Sequence, residues 1–297
     1  MRDAWIDHVP QFPVPGARPD PGLERLAPLL AIDLPSDNDL PMRNPDVDGL
    51  RSNALSEAVF LFHKSAHANL AAQRLAQQGM QSWCMFNAYH SAYLGAKGIM
   101  ELLGVALPNL NGRQVAIDLF PEPEKPKRGK GQLPISPVFH DFLVVRLPRL
   151  EQRLLWEGFQ RVLRITTAEC MDKGLVKELA AIPYDQFTPP RNHFLYQAHF
   201  WPLDDLLSDA TLEGMNDLVG SELDIAQKGF LIRLSFSVYC LFEKLMNDLG
   251  EQSRVIKDQV RGSRFLADSE EPEIAYYRNF LTQIGTQARD IHSITFP

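Results

Sequence analysis

The chain has 297 residues, of which 45% are hydrophobic and 23% charged, a balance that excludes a disordered protein and provides for a sizeable core. Thirty Lys and Arg against 37 Asp and Glu leave a net charge of -7, which argues against a general, non-specific grip on nucleic acid. Three separated cysteines (Cys84, Cys170 and Cys240) form no CxxC pair and suit reduced thiols.

The residues Met1–Asp7 lack a basic start followed by an apolar core, so no signal peptide is expected. No apolar run approaches the ~20 residues of a membrane span. The expectation is a cytoplasmic protein without membrane contact.

Nine of the 22 prolines fall within residues 1–50. Proline lacks the N–H that a helix interior needs, so this stretch reads as an irregular arm, with a short helix near residues 22–31. Its apolar side chains, Trp5, Ile6, Val9, Phe12 and Val14, suit packing on the domain or on a partner chain. Residues 51–297 form the second unit, a helical domain.

Helical periodicity starts near Ser52. Ala58, Leu61, Ala68, Ala72 and Leu75 form one stripe of Ser52–Gln78, and Gly79 marks its end. Gln81–Leu103 follows with Phe86, Tyr89, Tyr93, Ala96 and Met100, and Gly104 is its stop. The short turn between them predicts an antiparallel hairpin. Residues 105–137 break the pattern: Val115–Leu119 suits a short strand, and residues 121–137 hold a basic loop with Lys125, Lys127, Arg128 and Lys130. Helix returns over residues 147–172, then 175–181, 222–249 and 271–289. The fold class is therefore all-α, a multi-helix bundle built on antiparallel long helices, with the proline-rich arm in front.

Three features carry candidate chemistry. In Thr188–His199, Thr188 suits an N-cap and Pro189 the first helical position, which places Arg191, Asn192 and His193 in the first turn. His199 follows about 12 Å along the axis. His63 and His67 share a helix face at i,i+4, but no third ligand accompanies them, so they read as a solvated pair and no metal or cofactor is expected. His90, between Tyr89 and Tyr93 in sequence, reads as a hydrogen-bonded core histidine. Walker, dinucleotide and serine-hydrolase motifs are absent from the sequence.

A helix start with Arg191, Asn192 and a later histidine resembles the signature of the HEPN superfamily of helical ribonucleases. The aromatic-and-alanine helix Ser82–Lys97 resembles an earlier helix of the same fold. The resemblance covers about residues 52–249. Seven residues separate Arg191 from His199, one more than the family's usual spacing. The resemblance implies metal-independent RNA cleavage, as by a toxin or antiviral defence effector. Arg191 would be the charge stabiliser, His199 or His193 the acid/base, and Asn192 an orienting residue. It also implies a homodimer, with two motifs across the seam. Lys125, Lys127, Arg128 and Lys130 would be RNA contacts. The alternative is a non-catalytic helical scaffold or accessory subunit that docks through the arm and long helices.

Overall fold

A computed structural model describes residues 5–6, 40–42, 47–78, 80–110, 113–119, 142–146, 152–166, 171–183, 187, 222–252 and 256. Five helices dominate them: α1 (Val47–Gln77), α2 (Gln81–Leu102), α3 (Gln152–Ile165), α4 (Lys173–Ala181) and α5 (Glu222–Gln252). The chain is predominantly α-helical, as the periodicity predicts. Strands β1 (Leu40–Met42), β2 (Val105–Ala106), β3 (Asn109–Leu110), β4 (Arg113–Asp118) and β5 (Phe142–Arg146) add a small antiparallel sheet.

The α1–α2 hairpin is the frame. Small residues let its two helices approach closely: Ala54, Ala58, Ala66, Ala88, Ala92 and Ala96 are all buried. At its middle Ser65 Oγ donates to the Ser91 carbonyl at 2.9 Å, and Ser91 Oγ donates to the Ser65 carbonyl at 2.8 Å. These reciprocal bonds satisfy both buried hydroxyls and hold the register of the pair. Gly104, at φ 82°, ends the hairpin in a backbone conformation that glycine reaches without strain. Its N–H bonds the Glu101 carbonyl at 2.9 Å.

Helix α5 packs on α2 where glycines leave room. Phe62 of α1 stacks on Tyr239 at 5.8 Å and meets Phe242 edge-on at 5.2 Å. Leu234, Val238, Leu241, Leu245 and Leu249 of α5 are buried, which fits the apolar stripe of this helix. Full burial of such side chains contributes about 1.5–3 kcal/mol each.

The sheet runs β1-β5-β4-β2, with β3 pairing the opposite end of β4. Only the β4 region was signalled by the sequence, as Val115–Leu119. Pro41 lies in β1 at the edge of the sheet, where its missing N–H is tolerated. Arg51, in the first turns of α1, ties the sheet to the bundle: Nε and one terminal nitrogen both donate to the Leu119 carbonyl at 3.3 Å.

Two boundaries differ from the sequence reading, that of the arm and that of α3. Residues 1–50 are not irregular throughout, since they contain β1 and the start of α1 at Val47. Trp5 of the arm is fully buried in the main core and donates Nε1–H to the Leu102 carbonyl at 2.8 Å. The helix expected over residues 147–172 ends at Ile165. Thr166 turns its hydroxyl back to the Val162 carbonyl at 2.8 Å, and Asp172 caps α4 by accepting from Leu175 N–H at 2.9 Å. Phe12, residues 22–31 and the helix expected over residues 271–289 lie outside the described residues.

Candidate functional site

Arg191, Asn192, His193 and His199 lie outside the described residues, as do Lys125, Lys127, Arg128 and Lys130. Phe187, four residues before Arg191, is fully buried and stacks on Trp156 of α3 at 4.3 Å, with ring planes 10° apart. Phe230 of α5 approaches Phe187 at 6.4 Å. Trp156 in turn meets Tyr89 of α2 edge-on at 6.4 Å, and Tyr89 donates its hydroxyl to Gln152 Oε1 at 2.7 Å. An aromatic joint thus links α2, α3 and α5. Aromatic pairs of this kind contribute about 0.5–1.5 kcal/mol beyond their area.

A charged constellation sits further along α2. Lys97 Nζ lies 3.0 Å from Glu57 Oε1 on α1 and 3.5 Å from Glu101 Oε1 one turn on. Glu101 is only 1% exposed, and neither of its carboxyl oxygens has a hydrogen bond among the described residues. Burial raises its pKa well above the usual carboxyl range, an effect the Lys97 ammonium only partly offsets. Burial alone would lower the Lys97 pKa, but Glu101 and Glu57 outweigh it and raise it, so the amine keeps its proton. A protonated lysine is a poor nucleophile, and the ammonium ties α2 to α1 through Glu57.

A second buried carboxyl, Glu243 of α5, has a pKa pushed up to about 7 by burial. Its neighbour one turn back, Cys240, has a thiol raised by burial and then by Glu243 and Asp172. A thiol held that high is mostly protonated at neutral pH, which makes it unreactive.

His63 is half-buried and His67 exposed. Among the described residues no group of three His, Cys, Asp or Glu is arranged to hold a metal ion. His90 corrects the sequence reading. It is exposed, and its ring lies 4.8 Å from Phe86. The helix turns 100° between Tyr89 and His90, carrying the first into the core and the second out of it. The Glu57–Lys97 contact was not read from the sequence, because it joins residues forty positions apart. Only the i,i+4 spacing of Lys97 and Glu101 offered a signal.

Among the described residues no helix is long and apolar enough to cross a membrane. No protein-family model matches the chain, and neither a curated protein nor a solved structure matches it.

Proposed function

We propose that the protein is a HEPN-like, metal-independent RNA endonuclease, of the toxin or defence-effector kind, that acts in the cytosol as a homodimer. In this reading Arg191 stabilises the phosphorane charge, and His199 or His193 moves the proton of the 2′-hydroxyl or the leaving oxygen. Asn192 orients the phosphate. Lys125, Lys127, Arg128 and Lys130 hold the RNA backbone.

The observation that carries the reading is the anchoring of Phe187 at the α2–α3–α5 joint. Phe187 is linked through Trp156 to Tyr89 on the helix that resembles the earlier HEPN element, and Arg191 follows Phe187 by four residues in the sequence, which supports the reading. The long antiparallel hairpin and the third long helix packed on it are also what such a bundle requires.

Purified protein incubated with total and synthetic RNA, with and without EDTA, tests the proposal. EDTA-resistant cleavage lost in Arg191→Ala, with an unchanged melting curve, is the expected result. Loss with His199→Ala and retention with His193→Ala would assign the acid/base to His199, and the reverse to His193. An inactive wild type, across RNAs and oligomeric states, would overturn the reading in favour of a helical scaffold.

A further inference from the structure

From Ala58 to Met100 the sequence contains no Asp or Glu, in a chain whose net charge is -7. This acid-free stretch is most of the α1–α2 hairpin. Its formal positive charges are Lys64, Arg74 and Lys97, and it holds three of the eight histidines. Lys97 is neutralised by Glu57 at the foot of the hairpin.

The Glu57–Lys97 contact also shows how the two helices are turned. These side chains meet at 3.0 Å, so their two stripes look out over the same face. Steps of seven residues stay on that face with a drift of about 20° each. On α1 they lead from Glu57 to Lys64, and on α2 from Lys97 back to His90 and Trp83. Helix α5 packs elsewhere, against Gly95 and Gly98, where Val238 and Phe242 lie. Among the described residues nothing covers this face: Lys64, His67 and His90 are exposed, Trp83 is 47% exposed and Phe60 is 40% exposed.

Its aromatic rings are organised. Phe86 meets Trp83 edge-on at 6.0 Å, which supports the indole while leaving half of it in solvent. The Lys64 ammonium lies 4.7 Å over the Phe60 ring. Ser65 and Ser91 are level across the pair, so Lys64 and Trp83 stand about 13 Å apart along the axis.

We infer that this hairpin face binds single-stranded nucleic acid, with phosphates against Lys64 and a base stacked on Trp83. Lys64 attracts a backbone phosphate with no carboxylate of the hairpin between it and Trp83, and the exposed indole accepts an unpaired base on its face. A duplex keeps its bases stacked on one another and cannot use such a ring. The inference does not rest on cleavage or on Arg191.

Anisotropy of fluorescein-labelled oligouridylate, oligodeoxythymidylate and a duplex of equal length, each titrated with the full chain, tests it. The DNA strand lacks the 2′-hydroxyl, so its binding is read apart from any cleavage. Both single strands should bind more tightly than the duplex, and less tightly as salt rises. Trp83→Ala and Lys64→Glu should each weaken binding about tenfold, with melting curves like the wild type. Lys64→Glu should also flatten the salt dependence; it carries the test alone if Trp83→Ala disturbs folding. No saturable binding by the wild type at low salt, or equal binding by correctly folded variants, overturns the inference. So does a dimer that Trp83→Ala or Lys64→Glu splits without changing strand affinity, which would give the face to a second copy of the chain.

Discussion

Phe242 occupies the space beside Gly98 that any side chain would need: a Cβ on Gly98 would lie 2.5 Å from two atoms of the Phe242 ring. Phe242 is fully buried and wedged edge-on against Phe62, so the ring cannot swing into solvent. Gly98→Ala should therefore destabilise the fold, although alanine favours a helix over glycine by about 1 kcal/mol. Overpacking costs of about 1–3 kcal/mol outweigh that gain. Urea titration should show a lower midpoint. Restoration by the double variant Gly98→Ala with Phe242→Leu would assign the cost to this contact, and an unchanged midpoint in Gly98→Ala would refute it.

The helical frame was legible because long stripes such as Ala58–Leu61–Ala68–Ala72 cannot suit a strand. Gly104 was legible as the α2 stop, and its positive φ is the reason. The sheet was mostly illegible. Strands of two or three residues, such as Val105–Ala106 and Asn109–Leu110, are too short to show alternation and are fixed by pairing with β4. Trp5 could be read as packed, but its bond to Leu102 links positions 97 apart, which no local pattern encodes. The same holds for the candidate constellation: Glu57 and Lys97 meet only because Ser65 and Ser91 hold the helices in register.

Glu57, Lys97 and Glu101 should respond unequally to removal. Lys97→Met removes the counter-charge of Glu57 and should cost about 2 kcal/mol, the scale of a hydrogen bond to a charged group. Glu101→Gln should cost less than Lys97→Met, because burial raises the Glu101 pKa and so disfavours its charged form. Denaturant unfolding of both variants checks the pair. A loss for Glu101→Gln as large as for Lys97→Met would show that Glu101 is ionised in the native protein.

Phe187 should prove a structural anchor out of proportion to its isolated place in the described chain. Phe187→Ala removes the partner of the Trp156 stack and empties a fully buried site, which costs about 3–5 kcal/mol. Phe187→Leu keeps most of the volume and should lose less. Calorimetric melting of the three proteins checks the order, and equal melting temperatures would show that the joint carries no stability.

Glu243 sets the expected pH dependence. Its folded pKa, about 7, lies above the ordinary value of 4.5, so the unfolded chain releases this proton first as pH rises. The stability that Glu243 contributes is therefore fully present below pH 4.5 and declines as pH rises towards 7. The linked loss approaches about 3 kcal/mol when the whole shift is realised. Glu243→Gln mimics the protonated carboxyl and cannot ionise. Its stability relative to wild type should increase between pH 5 and pH 8, and the gap should close again at pH 5. Asp172 and Cys240, the ionisable neighbours on this side, do not reverse that sign: burial, Glu243 and Asp172 all raise the Cys240 thiol, which stays neutral across the window. Paired urea titrations at the two pH values read the difference directly. A wild type and variant whose stabilities run parallel with pH would show that Glu243 reaches water in the folded protein.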